Sequence, residues 1–498
     1  MNILLVYPEY PETFWSFKSV LKYISKKAAY PPLGLMTIAA LLPQEWSKQL
    51  VDVNVTKLKD EQIDWADYVF IGAMIIQIPS AQEIINRCKA RGKVVVVGGP
   101  AATSQPEVFQ GVDHFVLNEA EVTLPLFLSD LARGNAQPVY TSAIHPDISQ
   151  TPAPLWSLIN MKHYVSMPIQ YSRGCPFNCE FCDIIILYGR QPRTKSPQQL
   201  LTEIQSLYDA GWRRELFIVD DNFIGNKKNV KAMLPHLIRW QKEHNYPFQI
   251  ITEASVDLAR DPELMKMMSQ ANFNKVFLGL ETPSLDSLKE CNKLQNTNTD
   301  LEESIRILHT NGLQVMGGFI VGFDSDTKRI FEDQIRFIQN SGVVTAMVGI
   351  LNALPQTQLW HRLRREGRLL QNSSGLNTDA NVNFIPRMGI TELLEGYQKV
   401  ISTIYHPRHY YQRIHVFLKN YQPTTIHKIN GKDLLAAAKS MWKIGLLSRA
   451  RFLYWKLLLK TALTRIKSLP TAVELAIMGA HFEKISRPII RAKSDRSV

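Results

Sequence analysis

The chain has 498 residues, 45% hydrophobic and 20% charged, too long for one ordinary core and too apolar to be disordered. Its net charge of +12 is confined to one end: residues 405–498 hold 18 Lys and Arg against 4 Asp and Glu, and the other 404 residues hold 39 against 41. A near-neutral main body argues against an enzyme built around DNA or RNA, and no uninterrupted apolar run reaches the ~18 residues of a spanning helix.

Residues 1–140 alternate short apolar runs with stretches of helical periodicity. Strands are expected at Ile3–Tyr7, Val51–Leu58, Tyr68–Ala73, Val94–Gly98 and His114–Leu117, with helices at Ser80–Ala90 and Glu121–Arg133. This predicts an α/β fold, a Rossmann-like (flavodoxin-like) parallel sheet covered on both faces, with any ligand at the carboxyl ends of the strands. Those ends carry Pro8-Glu9-Tyr10, Met74–Gln77, Gly98-Gly99-Pro100 and Asn118-Glu119-Ala120-Glu121. The first strand runs straight into Tyr7-Pro8, unlike a secretory leader, and the five cysteines, an odd number, need no disulfide framework. Both predict a reducing, cytoplasmic setting.

Residues 141–160, with Pro146, Pro152 and Pro154, read as a linker. The alternation restarts at Met167–Tyr171. Further strands are expected at Leu216–Val219, Phe248–Thr252, Lys275–Leu280, Val315–Val321 and Thr345–Leu351, and helices at Pro197–Ala210 and Ser304–Asn311. Six such units over residues 161–355 predict a partial (βα)6 barrel rather than a closed eightfold one. Residues 356–498 read as a basic, mainly helical extension, in which Arg449, Arg451, Lys456 and Lys460 interleave with Phe452, Leu453, Tyr454 and Trp455. That mixture suits a peripheral membrane surface, a helical domain with solvated basic side chains, or a nucleic-acid footprint.

Three cysteines follow the first barrel strand, in Tyr171-Ser172-Arg173-Gly174-Cys175-Pro176-Phe177-Asn178-Cys179-Glu180-Phe181-Cys182. Soft thiolates spaced C-x3-C-x2-C suit an iron–sulfur cluster or zinc. Structural zinc would want a fourth ligand, and neither His163 nor Asp183 has zinc-finger spacing. With an aromatic residue, Phe181, before the last cysteine, the motif resembles the signature of the radical S-adenosylmethionine (SAM) superfamily. The resemblance implies a 4Fe–4S cluster on Cys175, Cys179 and Cys182, with SAM chelating the open iron. It also assigns SAM contacts to Phe181, to Asp220-Asp221-Asn222 after the second strand, and to Glu281 in Gly279-Leu280-Glu281-Thr282 after the fourth. Gly318, Ile320 and Gly322 match the family's G-x-I-x-G strand beside adenine; Glu253 is a weaker candidate. Without the resemblance, Asp220 and Asp221 read equally as turn or capping residues and the glycines as packing positions. The arginines of Gly189-Arg190-Gln191-Pro192-Arg193-Thr194 either steer an anion or stay solvated.

The first 140 residues look like the cobalamin-binding domain of cobalamin-dependent radical SAM enzymes. Pro32 and Gly34 in Tyr30-Pro31-Pro32-Leu33-Gly34-Leu35, Gly98 and Gly99 in Val97-Gly98-Gly99-Pro100, and Glu119 carry the resemblance. Asn118-Glu119-Ala120-Glu121 departs from the more usual Gly-Glu-Gly-Glu. There is no Asp-x-His-x-x-Gly, and His114 reads as a packed or edge histidine. A flavodoxin-like domain without a ligand is the bland alternative. The chain is most similar to methylase-like members, some of which act on hopanoids or bacteriochlorophyll precursors. That implies a C-methyltransferase: reduction of the cluster cleaves SAM to a 5′-deoxyadenosyl radical, the substrate loses hydrogen from an unactivated carbon, and methylcobalamin supplies the methyl. Implied partners are a hydrophobic isoprenoid or tetrapyrrole-like substrate, an electron donor such as flavodoxin or ferredoxin, and a peripheral contact with the inner face of a membrane. Alternatives are oxidative cyclisation or rearrangement, a non-catalytic cobalamin or iron–sulfur module, and a nucleic-acid methylase, against which the neutral body argues. Cys88 and Cys291 read as ordinary thiols.

Overall fold

The computed structural model describes residues 1–376, 382–424 and 431–491. Six strands, β1 (Asn2–Tyr7), β2 (Ser47–Asp52), β3 (Tyr68–Gly72), β4 (Val94–Gly98), β5 (His114–Val116) and β6 (Val139–Tyr140), form a parallel sheet in the order β2-β1-β3-β4-β5-β6. Its strands are apolar on both faces because both faces are covered. Leu4, Val6, Val69 and Val95 enter one core, and Ile3, Leu5, Phe70 and Val96 the other. The strand order turns back beside β1, and such a switch point leaves a crevice at the carboxyl ends. The second strand lies earlier than the expected Val51–Leu58 because Asp52 ends it. The Asp52 carboxylate accepts from the Asn54 backbone at 2.9 Å and the Asn54 side chain at 2.8 Å, and its carbonyl accepts from Val55 and Thr56.

The second unit starts with β7 (Met167–Ile169) and a pair of two-residue antiparallel strands, β8 (Ser172–Arg173) and β9 (Arg193–Thr194), which form a hairpin around the intervening loop. It continues through β10 (Glu215–Ile218), β11 (Gln249–Ala254), β12 (Phe273–Glu281), β13 (Gln314–Val321) and β14 (Thr345–Ile350). Strands β7 and β10–β14 form an open parallel sheet in the order β14-β13-β12-β11-β10-β7, a partial (βα)6 barrel. Outward side chains such as Leu216, Ile250, Val276 and Val315 are fully buried against the surrounding helices. Their inward alternates, Phe217, Glu253, Phe277, Met316, Ile320 and Met347, are only half-buried, so the lumen is open.

Helices Ile390–Ile404, Pro407–Asn420, Gly431–Lys443, Arg451–Thr464 and Leu469–Arg491 follow the barrel, and all but Gly431–Lys443 share its core. The last of them reaches back to the N-terminus, where Phe482 stacks on Phe14 with centroids 4.7 Å apart. It also closes the amino end of the barrel, where Glu474 and Glu215 both pair with Lys275, at 2.8 and 3.1 Å.

The carboxyl edge of the first sheet is applied to the barrel. Beyond β2, Asp52 accepts from the Tyr164 hydroxyl at 3.0 Å. Tyr30 lies against Phe217 of β10, ring centroids 5.2 Å apart. Beyond β5, Glu119 and Glu121 meet Arg173 of β8. The carboxyl edge of the first sheet thus meets the barrel at Tyr164, at Phe217 and at the start of the cysteine loop.

Candidate functional site

The cysteine loop leaves β7 and is closed at its base by the β8–β9 hairpin. Gly174 makes this turn possible: its φ is +91°, and a Cβ there would lie 2.9 Å from the Gly189 carbonyl oxygen and 3.0 Å from those of Tyr188 and Gln191. Asp220 anchors the start of the loop. One oxygen accepts from the Tyr171 N–H at 2.7 Å and the other from the Ser172 hydroxyl at 2.7 Å. Both oxygens thus serve the loop from a residue 48 or 49 positions away, so Asp220 is a tertiary anchor and not the helix cap or local turn its position also suggested.

All three loop cysteines are free thiols, Cys179 buried and the others half-buried. The Asn222 side-chain amide stands 4.0 Å from Cys175 Sγ, and that of Gln295 stands 3.8 Å from Cys179 Sγ. Burial pushes the Cys175 and Cys182 thiols up, and Lys293 acts in the opposite direction on both. Lys293 itself keeps its charge: burial works against it, but Glu281 and the cysteines outweigh that and raise its pKa. Among the described residues no group of three His, Cys, Asp or Glu side chains is placed to hold a metal ion. One ion needs its donors converging on a point, whereas a cuboidal cluster takes each thiolate on a different iron. The donor set of three sulfurs on one loop, two with amide donors beside them, fits the cluster.

Around the loop stand the other expected groups. Glu281 sits at a register shift at the end of β12, with φ +60°, a backbone region that a non-glycine residue rarely occupies. Its carboxylate pairs with Lys293 at 2.7 Å, and Lys293 lies 6.0 Å from the Phe181 ring centre. Asp221 has a buried oxygen with no hydrogen-bond partner. Burial pushes Asp220 up to about 6; burial, Asp220 and Asp183 push Asp221 up to about 7. Burial, then Asp221 and Asp220, push the lumen-facing Glu253 up to about 8. A carboxyl with one unpartnered oxygen beside an acidic neighbour fits a cationic ligand group such as the SAM ammonium. Ile320 is half-buried on the lumen wall, and a Cβ at Gly318 would come 2.9 Å from the Phe277 ring. Gly322, at φ +106°, instead turns the chain out of β13 against Leu393.

In the first domain, Pro32 and Gly34 open the helix Leu33–Leu41 at the carboxyl edge of the sheet, and a Cβ on Gly34 would meet nothing within 4 Å. Gly98 and Gly99 are needed by the protein itself. A Cβ on Gly98 would strike the Val116 carbonyl at 2.7 Å, and Gly99, at φ +89°, abuts Ala73 at 3.3 Å. Open space at Gly34 beside the switch-point crevice fits a large planar ligand. Glu119, expected beside that ligand, is fully engaged elsewhere. It pairs with Arg173 at 2.9 Å, Arg193 at 2.8 Å and His145 at 2.9 Å, so it clasps the first domain to the cysteine loop. Arg193 is thus neither solvated nor free to steer an anion. His114 is a packed histidine on an interior strand, its ring 5.3 Å from that of Phe127 and its Nδ1 2.7 Å from the Gln137 carbonyl oxygen.

Two further features of the site leave no mark in the sequence. Lys293 and Gln295 reach the thiols from a segment whose spacing carries no signal. The helix Gln358–Arg365 also grips the loop: Leu359 N–H donates to the Glu180 carbonyl at 3.0 Å, and Gln358 bonds Asn178 at 2.9 Å. Arg362 binds both Glu180 oxygens, at 2.6 and 3.1 Å, and Asp324 at 2.8 Å.

Residues 24–128 match the B12 binding domain, residues 169–338 the radical SAM superfamily, and residues 357–495 a domain of unknown function, DUF4070. An uncharacterized methyltransferase of Synechocystis sp. is 46% identical over 91% of this chain and 86% of its own length. The hopanoid C-2 methylase of Rhodopseudomonas palustris is 33% identical over 92% of this chain and 89% of its own. The fold is similar to the cobalamin-dependent SAM radical enzyme OxsB, solved with aqua-cobalamin and SAM bound (TM-score 0.62, 14% identity, 100% of this chain and 80% of that one).

Proposed function

Because the chain belongs to the radical SAM enzymes that carry a B12 binding domain, we propose that it is a C-methyltransferase acting on an unactivated carbon of a hydrophobic, isoprenoid or tetrapyrrole-like molecule. Its cofactors are a 4Fe–4S cluster, SAM and cobalamin. The observation that carries the reading is the Glu119–Arg173 joint, which brings the carboxyl edge of the first sheet against the cysteine loop.

When bound, the cluster and SAM supply a hydrogen-abstracting radical and cobalamin supplies the methyl group. The chain's own residues bind and orient. Cys175, Cys179 and Cys182 hold the cluster, and Asn222 and Gln295 direct amide donors at two of their sulfurs. Asp221 and Glu253 take the cationic end of SAM, Glu281 and Lys293 bracket its polar groups, and Phe181, Gly318 and Ile320 shape the wall beside the base. Pro32, Gly34, Gly98 and Gly99 line the cobalamin crevice. Phe217, Phe277, Met316 and Met347 give the lumen an apolar wall that suits a hydrophobic substrate and keeps water from a radical. A flavodoxin or ferredoxin supplies the electron, and the basic helical extension makes a peripheral contact with a membrane. Domain limits of 1–140, 141–160, 161–355 and 356–498 belong to the same reading.

The test is transfer of a deuterated methyl group. Anaerobically reconstituted protein, reduced in the presence of labelled SAM and a hydrophobic bacterial extract, should yield a product carrying one labelled methyl. Cleavage of SAM with no label in any product would favour cyclisation or rearrangement over methylation.

A further inference from the structure

The hairpin made by Gly431–Lys443 and Arg451–Thr464 is apolar on two sides. Its inner side is settled: Tyr454, Leu457, Leu458 and Thr461 are buried, the Ser440 and Tyr454 hydroxyls share a hydrogen bond of 2.7 Å, and the Trp455 indole donates to the Gly445 carbonyl at 3.0 Å. The outer side is covered by nothing among the described residues. There Phe452, Leu459 and Leu463 recur at helical spacing and are 74%, 60% and 85% exposed. Trp442, Leu446 and Leu447 extend the stripe through the turn, Leu447 being 69% exposed. Isolated surface leucines need no explanation, but a contiguous stripe of this kind marks an interaction surface.

The charge around the stripe selects the partner. No Asp or Glu lies between residues 434 and 473, while Lys443, Arg449, Arg451, Lys456 and Lys460 stand exposed beside the apolar residues. A second copy would bring two equally basic faces together. A nucleic acid would satisfy the charge but leave Leu446, Leu447 and Leu463 in water, and leucine has no face on which a base can stack. Among the described residues no helix is long and apolar enough to cross a membrane, so a lipid contact here lies in the interface plane.

We infer that this hairpin docks on an anionic lipid bilayer, its leucines and phenylalanine entering the acyl boundary and its lysines and arginines meeting phosphate headgroups. The inference rests on the proposed reading for its purpose, since a substrate dissolved in a bilayer is reached from the bilayer surface. It names the segment, the lipid charge and the mode of contact, and gives part of DUF4070 a task.

The test is flotation of the full-length protein with phosphatidylcholine vesicles, with and without phosphatidylglycerol. The protein should float with the anionic vesicles and be released as salt rises. A Leu446→Glu/Leu447→Glu variant should bind at least tenfold more weakly, and Lys456→Glu/Lys460→Glu should lose the preference for phosphatidylglycerol. Far-UV circular dichroism and SAM cleavage unchanged from wild type establish that both variants are folded. Failure to float, equal flotation of the leucine variant, or loss of RNA binding or self-association in its place would overturn the inference. Flotation without SAM cleavage would leave the docking intact and remove the enzymatic reading; cleavage without flotation would do the reverse.

Discussion

Burial and the Asp221 and Asp220 carboxylates raise the Glu253 pKa, Lys293 offsetting them only in part, and among the described residues neither Asp221 nor Glu253 forms an ion pair with a basic side chain. Raised carboxyl pKa values make the folded protein hold protons that the unfolded chain has already released. For Glu253 that window runs from the ordinary carboxyl range near 4.5 to about 8, so stability contributed below it is lost as pH rises through it. Glu253→Gln should flatten the fall in denaturation midpoint between about pH 5 and about pH 8, measured without SAM. An unchanged pH profile would mean that Glu253 is ionised throughout. The cysteines were legible at this scale because cluster ligands must be close in sequence to wrap one group. Lys293, Gln295 and Arg362 were not, because folding alone brings them to the cysteine loop, the last onto Glu180. Glu119 was legible as a functional position, but its partners, Arg173 and Arg193, lie in another domain.

Two elements hold the cysteine loop from opposite sides: the β8–β9 hairpin at its base and the helix Gln358–Arg365 over Glu180. Glu180 lies between two of the cysteines, so removing its partner leaves a mostly buried carboxylate inside the loop. Arg362→Ala should keep the fold, by circular dichroism, yet lose iron and visible absorbance in air several-fold faster than wild type. Equal rates would show that the helix merely covers the loop. Most elements could be read from the sequence because parallel strands buried on both faces are plain apolar runs. The misplaced β2 and the unforeseen β6 were set by the Asp52 turn and by two residues at a sheet edge, which periodicity does not register.

For the whole molecule, the joint between the domains decides whether two cofactor sites can act on one substrate. Glu119 has 2% of its side chain exposed and serves two largely buried arginines, so it is a desolvated joint rather than a surface pair. Glu119→Gln should lower stability by about 3 kcal/mol, read by denaturant unfolding, because Arg173 and Arg193 are left with weaker partners. A change within about 0.5 kcal/mol would mean that Glu121 and the Tyr188 and Pro146 carbonyls suffice. The central claim, that the three-cysteine loop holds a cluster that cleaves SAM, is tested most directly by 5′-deoxyadenosine. Protein reconstituted anaerobically with iron, sulfide and cobalamin, then reduced with SAM present, should release it, and Cys175→Ala treated identically should release none. Wild-type protein with its cluster confirmed by iron content and spectrum, yet yielding no 5′-deoxyadenosine with any reductant or substrate, would contradict the account.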